Sequence, residues 1–393
     1  MGKSLFHIAS EKEIKEGKVT DVYFLRTLEI LRAKKVDKWV KAEFIAKTLP
    51  GNWEWGVLAG IEEAVSLCKG MRIHLETMRE GTFFRPYQPV MTIEGMYSQF
   101  VLYETALLGL ICQASGICTQ AARFRKLVNH RPIISFGARR MHPGLAPMIE
   151  RNAFMGGCDG VAVVRSAELL GLEPSGTMPH SLILIFGDTV KAVEAFHEVI
   201  DKKIKRVALI DTLADEKFET IRVAEALGKD LFGVRLDTPG SRRGDFPRIL
   251  EEVRWELDLR GFKDIKLFVS GGIDEASISD LNPYVDAYGI GTAISNAPVV
   301  DFSMDIIEIE GTPFCKRGKM GGGKQVLRCR KCHRDEIRPI PKKTQKGKKS
   351  CSCGGVFENL LESMIQDGEV LKSLPHPKEI RKYVLKQLPS FPI

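Results

Sequence analysis

Side chains that can do chemistry repeatedly follow short apolar runs in the middle of this 393-residue chain. The runs span residues 132–136, 160–164, 206–210, 232–236, 266–269 and 287–290. The residues that follow them include Gly137-Ala138-Arg139-Arg140, Asp211-Thr212, Asp237-Thr238, Ser270-Gly271-Gly272 and Gly291-Thr292. Arginines bind carboxylate and phosphate oxygens, carboxylates suit Mg²⁺, and glycine turns let backbone amides approach a phosphate. The pattern indicates a site for an anionic, phosphorylated substrate, whereas helix capping is the alternative role for the Asp, Ser and Thr residues.

The spacing of these runs predicts how the site is built. Buried strands that alternate with helical patterns are typical of parallel βα units, and six of them suggest a barrel. The loops at the carboxyl ends of barrel strands share one face, where active sites are found. We therefore expect an α/β chain with an α+β N-terminal domain (1–120), an irregular βα barrel that carries the active site (121–300), and a C-terminal region (301–393). Part of the chain end can rejoin the first domain.

One histidine stands out from the eight in the chain. His180 follows a turn in the polar stretch Ser175-Gly176-Thr177-Met178-Pro179-His180-Ser181, beside hydroxyl groups. A histidine titrates near neutral pH and can act as an acid, a base or a nucleophile. A structural histidine in a polar loop is the competing interpretation.

The nine cysteines indicate reduced thiols and one metal site, because an odd, scattered number does not make a disulfide framework. The spacing Cys329-x₂-Cys332-x₁₈-Cys351-x-Cys353 offers four thiolates for a tetrahedral structural Zn²⁺. We expect a small zinc knuckle at residues 326–358, in which His333 can replace one ligand. Such a short, basic segment needs a metal to fold, which favours a structural role.

Charge is concentrated around this motif. The chain has a net charge of +8, but residues 316–350 alone hold fourteen Lys or Arg and two acids. A lysine-rich loop, Lys342–Lys349, lies within this segment and is expected to be solvated. Nucleic-acid binding by these lysines is an alternative, although few aromatic residues are interleaved with them.

The composition excludes two classes of protein. A hydrophobic content of 44% is that of a folded globular chain, not of a disordered tail. No uninterrupted apolar run approaches the roughly 20 residues that a membrane helix needs, so we expect no membrane association and a cytoplasmic location.

The motifs taken together resemble one enzyme family, the nicotinate phosphoribosyltransferases, which have the type II phosphoribosyltransferase fold. They occur in the family's order over about residues 18–295 and are Thr20-Asp21-Val22-Tyr23; Glu80-Gly81-Thr82 with Pro86 and Pro89; Ile93-Glu94-Gly95; Leu102-Tyr103-Glu104-Thr105 with Leu107-Leu108; Thr119 with Ala121 and Arg123; Ser135-Phe136-Gly137-Ala138-Arg139-Arg140; Gly156-Gly157-Cys158-Asp159-Gly160; Ser175–Ser181; Ile210-Asp211-Thr212; and the two late glycine turns. The family's usual Gly-Leu-Arg-Arg is Gly-Ala-Arg-Arg here, and Met141-His142-Pro143 replaces the Gln-Gly that often follows.

The resemblance implies a role for each matching residue. Tyr23 and Phe136 would hold the pyridine ring of the base, with Arg139 and Thr177 near its acid group. The phosphoribosyl pyrophosphate (PRPP) donor would be bound by Arg139, Arg140, Arg235, Ser270, Gly271, Gly272, Gly291 and Thr292. Four residues would take part in catalysis: His180, Asp211, Arg235 and Asp237. His180 matches a histidine that related enzymes phosphorylate from ATP, and Asp211 would orient it.

These observations predict transfer of phosphoribosyl from PRPP to nicotinate, which gives nicotinate mononucleotide and pyrophosphate in NAD salvage. Mg²⁺ with PRPP, optional ATP and a structural Zn²⁺ are the expected cofactors, and a homodimer or larger homo-oligomer is the expected assembly. A nicotinamide or quinolinate phosphoribosyltransferase is the alternative enzyme, although quinolinate enzymes are shorter and lack the histidine loop. A zinc-ribbon nucleic-acid-binding protein on an inactive barrel is the alternative of another class.

Overall fold

The computed structural model describes residues 6–340 and 350–393, so the predicted loop Lys342–Lys349 lies outside the described residues. The strands of the described chain are β1 (Trp39–Ala46), β2 (Gly56–Val57), β3 (Ile73–Met78), β4 (Phe83–Phe84), β5 (Met91–Met96), β6 (Ile133–Ser135), β7 (Gly160–Val161), β8 (Arg206–Leu209), β9 (Leu231–Leu236), β10 (Lys266–Val269), β11 (Ala287–Ile290), β12 (Phe302–Ile309), β13 (Thr312–Pro313), β14 (Lys324–Cys329), β15 (Asp335–Pro339), β16 (Phe357–Asn359), β17 (Leu361–Gln366) and β18 (Glu369–Val370).

The α-helices of the same residues are α1 (Glu11–Lys15), α2 (Val22–Lys34), α3 (Ile61–Cys68), α4 (Glu104–Val128), α5 (Ala146–Gly156), α6 (Val164–Leu170), α7 (His180–Phe186), α8 (Thr189–Val199), α9 (Glu216–Leu227), α10 (Gly240–Arg243), α11 (Phe246–Leu259), α12 (Glu275–Leu281), α13 (Thr292–Ser295) and α14 (Pro377–Gln387). Short 3₁₀ turns, including one at Ala138–Arg140, connect several of them.

The chain forms two compact units. Unit 1 consists of Met1–Thr119 and Pro298–Ile393, and unit 2 consists of Gln120–Ala297. Unit 1 therefore includes the residues of the predicted zinc knuckle, at 326–358, and the division between the units falls within α4.

Unit 1 is built on a seven-stranded antiparallel sheet in the order β13-β12-β1-β5-β3-β17-β18. Side chains on a strand point alternately to its two faces, and Val40, Ala42 and Phe44 of β1 are buried on one of them. Glu43 and Ile45 on the other face are buried as well. A smaller antiparallel sheet, in the order β15-β14-β16, carries the cysteine-rich segment. Glu43 on β1 accepts a hydrogen bond from Nζ of Lys324 on β14 at 2.8 Å, which joins the two sheets.

Unit 2 contains a six-stranded parallel sheet in the order β7-β6-β11-β10-β9-β8. All six apolar runs predicted from the sequence form these strands, and each neighbouring pair is parallel. The predicted irregular βα barrel is found only in part, because among the described residues β7 and β8 are edge strands that do not pair. The stretch between them forms α6, α7 and α8 and supplies no strand to close the gap, so the sheet is a half-barrel.

Helix α4 lies in a stretch, Val101–Val128, that by length and composition alone could cross a membrane. The sequence-based expectation missed it because polar residues such as Gln113, Ser115 and Thr119 interrupt its apolar run. Half of its most apolar window is buried inside the fold, and Leu107 and Ile111 belong to the core of unit 1. Both of these side chains are fully buried, as side chains on the inner face of a core helix are.

Candidate active site at the strand ends of unit 2

His180 begins α7 and meets residues from two strand ends. Its Nδ1 lies 2.9 Å from Oγ1 of Thr212, which follows β8, and its Nε2 lies 3.4 Å from Oδ2 of Asp237, which follows β9. The other oxygen of Asp237 accepts a hydrogen bond of 2.6 Å from the Ser270 hydroxyl, directly after β10. These contacts bring together three of the strand ends that the sequence singled out.

The orienting partner of His180 differs from the expected one. Both ring nitrogens face Thr212 and Asp237, whereas no described hydrogen bond joins His180 to Asp211. The reason is that Asp211 and Asp237 occupy equivalent positions, at the ends of neighbouring strands, and only the fold decides which carboxylate the histidine reaches. Burial raises the pKa of Asp211, and His180 lies close enough for its charge to oppose that rise.

Asp211 is a buried carboxylate with neither oxygen in a hydrogen bond of ordinary geometry among the described residues. Burial raises its pKa, against the opposing effects of His180 and of the backbone amides of Asp211 and Asp237. A buried carboxylate without a partner is costly unless a cation or a donor from a ligand satisfies it. Hard carboxylate oxygens are the ligands that Mg²⁺ prefers, so Asp211 fits a magnesium ion that accompanies a phosphorylated substrate.

Arg235 lies on β9 beside an aromatic ring. Its Nη1 donates a hydrogen bond of 2.6 Å to the Thr177 hydroxyl, and its guanidinium carbon lies 5.8 Å from the centroid of the Phe136 ring. Burial lowers the pKa of Arg235, and its Nε is buried without a partner among the described residues. The Phe136 ring lies against Gly289, where an added Cβ would approach it to 2.4 Å. Glycine at 289 thus lets the ring reach this position.

The two late glycine turns also lie at these strand ends. Gly271 and Gly272 have φ of 76° and 61°, in the left-handed region that glycine adopts readily. A Cβ on Gly271 would lie 2.9 Å from the backbone and side-chain oxygens of Asp237, so the turn packs closely on that residue. Gly291 lies against the turn Gly137–Arg140 that follows β6. A Cβ on Gly137 would be 2.4 Å from the Gly291 carbonyl oxygen.

Other predicted site residues have fewer contacts. Arg139 and Arg140 are exposed in the 3₁₀ turn after β6, and Thr292 begins α13. Tyr23 belongs to unit 1, on α2, where its side chain is 56% exposed. Asp21, just before that helix, accepts a hydrogen bond of 2.7 Å from the Thr105 hydroxyl. The contact of Tyr23 with a pyridine ring remains a prediction.

Sequence reasoning missed Arg243. Its Nε donates to the Thr238 carbonyl at 3.0 Å and its Nη2 donates to the Ser270 carbonyl at 3.2 Å, so it joins the ends of β9 and β10. The signal was present as the pair Arg242-Arg243 in the loop after β9. Arg243 lies seven residues after the end of β9, too far along the chain for the strand-end pattern to include it.

The four predicted metal ligands are grouped in unit 1. The sulfur atoms of Cys329, Cys332, Cys351 and Cys353 all lie within 4.8 Å of one another. Sulfur to sulfur, Cys329 is 3.5 Å from Cys353 and Cys332 is 3.7 Å from Cys351. Tetrahedral zinc with bonds of about 2.3 Å places its sulfur ligands about 3.8 Å apart. This group can therefore bind a metal ion such as zinc, and His333 is not a member of it.

The thiols of this group influence one another. Mainly through the backbone N–H of Cys353, the pKa of Cys351 falls to about 6. The backbone N–H of Arg334 lowers the pKa of Cys332, but hydrogen bonds with the Cys353, Cys329 and Cys351 side chains raise it to about 12. Four thiolates this close repel one another, so full ionisation of the group requires a cation.

Comparisons with known proteins agree with this arrangement. Residues 21–115 match the N-terminal domain of quinolinate phosphoribosyl transferase, and residues 117–305 match its C-terminal domain. A solved nicotinate-nucleotide pyrophosphorylase from Pyrococcus furiosus is 51% identical, with a TM-score of 0.96 and 99% of both chains covered.

More distant relatives are named for nicotinate. Nicotinate phosphoribosyltransferase pncB2 of Mycobacterium tuberculosis is 26% identical over 350 residues, which cover 79% of this chain and 74% of that protein. Human nicotinic acid phosphoribosyltransferase shares the fold, with a TM-score of 0.75 at 18% identity over 95% of this chain and 94% of its own.

The half-barrel and these matches define an enzyme of the phosphoribosyltransferase type in NAD biosynthesis. The chain belongs to the quinolinate phosphoribosyl transferase family.

Proposed function

We propose that this enzyme is a nicotinate phosphoribosyltransferase that can couple its reaction to ATP hydrolysis through His180. The observation that carries the proposal is the position of His180, which lies between Thr212 and Asp237 at the strand ends of the half-barrel. The family resemblance implies that quinolinate enzymes lack the loop that carries this histidine, Ser175–Ser181. Several relatives, including that of Mycobacterium tuberculosis, carry the name nicotinate phosphoribosyltransferase.

The proposed reaction needs positioning more than proton transfer. The pyridine nitrogen of nicotinate attacks the anomeric carbon of PRPP, the bond from that carbon to the pyrophosphate oxygen breaks, and pyrophosphate leaves with the electron pair. Near neutral pH the nitrogen is unprotonated, so no general base is required. Preorganised positive groups that stabilise the leaving pyrophosphate then supply the largest part of the catalysis.

The described side chains fit these tasks. Phe136 offers a ring face for the pyridine, and Arg235 beside it offers a charge that is already fixed by Thr177. Arg139 and Arg140 are exposed, so their side chains would be free to bind anionic groups of the substrates. The turns at Ser270–Gly272 and at Gly291-Thr292 would hold the phosphate of the ribose.

Magnesium would fit this site through Asp211, whose buried oxygens accept no hydrogen bond of ordinary geometry among the described residues, and through Asp237. When bound, Mg²⁺ neutralises charge on the pyrophosphate. Asp237 has a second task, because it contacts both Nε2 of His180 and the Ser270 hydroxyl. We infer that Asp237 links the ATP-dependent histidine to the turn that holds PRPP.

The proposed coupling is a phosphoryl transfer to His180. A ring nitrogen attacks the γ-phosphorus of ATP, the bond to the bridging oxygen breaks, and ADP leaves. Water later hydrolyses the phosphohistidine to histidine and phosphate. The released free energy would draw nucleotide formation forward.

Quinolinate is the second candidate substrate. The family models carry its name, and the relative from Pyrococcus furiosus, at 51% identity, is a nicotinate-nucleotide pyrophosphorylase. Quinolinate has two carboxylates and loses one as CO₂, whereas nicotinate has one and loses none. Nicotinamide, with an amide in place of the carboxylate, is the third candidate.

One experiment separates the three bases. Purified enzyme is incubated with PRPP, Mg²⁺ and each base, and pyrophosphate and CO₂ are measured. We expect pyrophosphate with nicotinate, little with nicotinamide, and no CO₂ from quinolinate. Release of CO₂ that depends on quinolinate would contradict the proposal. Salt-sensitive retention on RNA with no turnover of any base would instead favour the nucleic-acid-binding alternative.

We further propose that Cys329, Cys332, Cys351 and Cys353 bind a structural Zn²⁺ and that the enzyme self-associates. The sulfur positions support the first proposal. Exposed Leu184, Ile185 and Phe186 on α7 support the second, because clustered exposed apolar side chains mark contact surfaces.

A further inference from the structure

Arg243 makes an unusual set of contacts for an arginine near a phosphate site. It ends the short helix α10. Among the described residues its guanidinium donates to backbone carbonyls alone, from Nε to Thr238 and from Nη2 to both Ser270 and Gly271. Its guanidinium carbon also lies 4.4 Å from the centroid of the Phe246 ring. One side chain thus holds the ends of β9 and β10 in a fixed relation.

These contacts orient the glycine turn. In a trans peptide the C=O and the N–H point in opposite directions. Because the carbonyls of Ser270 and Gly271 point at Arg243, the amides of Gly271 and Gly272 in the same two peptides point away from it. Both glycines have positive φ, of 76° and 61°. Neither amide donates a hydrogen bond in the described part of the chain.

Successive backbone N–H groups that point to one side form a concave site for an anion. Here the site needs no charged side chain of its own, because its two donors belong to the backbone. Two adjacent glycines populate many backbone conformations, so a turn without other contacts would rarely point both amides at the same anion. A fixed pair of carbonyl contacts removes that freedom before the ligand arrives.

We propose that Arg243 is a positioning residue that holds the Ser270–Gly272 turn in this conformation, so that the Gly271 and Gly272 amides receive a phosphate of PRPP. This inference rests on the proposed function. Arginine suits the task because one planar guanidinium reaches carbonyls on two strands at once, which the single ammonium of lysine cannot do. Burial lowers the pKa of Arg243, while Asp237, Asp211 and Asp274 oppose that effect and favour the charged form.

The test measures PRPP binding and backbone protection separately. Calorimetry with PRPP and Mg²⁺, without a base, is carried out on the wild type, Arg243→Gln and Arg243→Ala. The matched control is Arg242→Ala, because Arg242 is the exposed neighbour with no side-chain contact to the turn among the described residues. Hydrogen exchange of the peptide that contains residues 267–274 is measured on the free proteins.

We expect the Arg243 variants to bind PRPP roughly 10- to 100-fold more weakly, the effect of losing hydrogen bonds from a charged group. Their KM for PRPP should rise while the KM for the base stays within about twofold, and the turn should exchange faster without any ligand. Arg242→Ala should match the wild type in every measurement. Arg243→Gln keeps most of the side-chain volume, so it answers the question if the alanine variant does not fold.

Three outcomes would overturn the role of Arg243. Unchanged PRPP affinity in both Arg243 variants would refute it and leave the proposed function intact. Weaker binding with unchanged exchange of the turn would show direct contact between Arg243 and substrate instead of positioning. A wild-type enzyme that does not bind PRPP would overturn this inference and the proposed function together.

Discussion

Nε2 of His180 lies 3.4 Å from Oδ2 of Asp237. The histidine begins α7 and the carboxylate follows β9, so the contact joins segments that are 57 positions apart in sequence. The same carboxylate accepts a 2.6 Å hydrogen bond from Ser270. A change in the charge or position of His180, such as phosphorylation, would therefore act on the glycine turn through a single intermediate residue.

Replacement of His180 with alanine should separate ATP consumption from nucleotide synthesis. We expect His180→Ala to keep pyrophosphate formation from PRPP and nicotinate, while ATP hydrolysis falls at least about 100-fold, because the phosphoryl acceptor is gone. Assays of pyrophosphate and of ADP, with and without ATP, measure both. Replacement of the exposed His130 with alanine is the control and should change neither. Complete loss of synthesis would show that the histidine has another role.

The Asp211→Asn substitution should raise stability and lower activity. Burial raises the pKa of Asp211 above its ordinary value of 3.8, so between these two values the folded protein binds more protons than the unfolded chain. The free energy of unfolding therefore falls as pH rises through this window and stays lower above it. Asparagine removes that penalty.

The higher free energy of unfolding of Asp211→Asn should be present at neutral pH. It should disappear below about pH 4, where Asp211 is protonated in both the folded and the unfolded protein. Urea unfolding at several pH values measures it, with the exposed Asp264→Asn as the control. Turnover should fall at the same time, because a neutral amide binds Mg²⁺ poorly. An equal gain at all pH values would contradict the assigned cause.

Asp335→Asn should destabilise unit 1. The Asp335 carboxylate, 5% exposed, pairs with Nε of Arg328 at 2.7 Å and with Nη1 of Arg85 at 2.5 Å, and it also accepts from Gln88. Removal of one member of a buried ionic group costs about 3–5 kcal/mol. Chemical denaturation at pH 7 measures the loss. Glu358→Gln, which breaks an exposed pair with Arg330, should cost less than about 1 kcal/mol.

The pH dependence of this effect has the opposite sign to that of Asp211. Burial raises the pKa of Asp335, but hydrogen bonds from Arg328 and Gln88 and the charge of Arg85 bring it below its ordinary value of 3.8. The stabilisation is therefore complete above that value and is lost as pH falls towards the lowered pKa. The difference between wild type and variant should shrink on acidification, and a difference that grew would refute the ion-pair explanation.

The cysteine group should hold one zinc ion per chain. Elemental analysis of the purified protein is expected to give one equivalent, and Cys351→Ala should lose it and unfold at a lower temperature, because zinc contributes folding free energy. Cys315→Ser lies outside the group and should retain the metal. Zinc retained in full by Cys351→Ala would show that the ion is bound elsewhere.

The parallel sheet of unit 2 was predictable because it is encoded locally. Each of its strands is a short apolar run with a glycine or polar residue after it, and all six predicted runs form β6 to β11. The sheet of unit 1 was not predictable in this way. Its strand β1 pairs with β12, for example Val40 with Ile309, and nothing in the local pattern of either strand identifies a partner so distant in sequence.

The site was predictable in its residue types but not in its pairings. Strand ends of a parallel sheet meet at one edge, which is why Asp237 and Ser270 could be expected close together. His180 begins α7 and follows no strand, so its place in the site was implied only by the family resemblance. The choice between Asp211 and Asp237 as partner of His180 depends on the relative position of two neighbouring strands. Arg243 acts on backbone carbonyls, which every residue has, so no residue type marks its targets.

The pairing of β1 with β12 also imposes a delay during synthesis of the chain, because the two strands are far apart in sequence. Trp39 donates its backbone N–H to a Glu310 side chain that lies 271 positions later. At about 5–20 residues per second, a ribosome needs roughly 15 to 55 s to make that stretch. During this delay one edge of β1 has no native neighbour, and an open strand edge readily joins a foreign one. Unit 2, made entirely within the interval, can fold while β1 waits, so translation speed and chaperone supply should govern the yield of active enzyme.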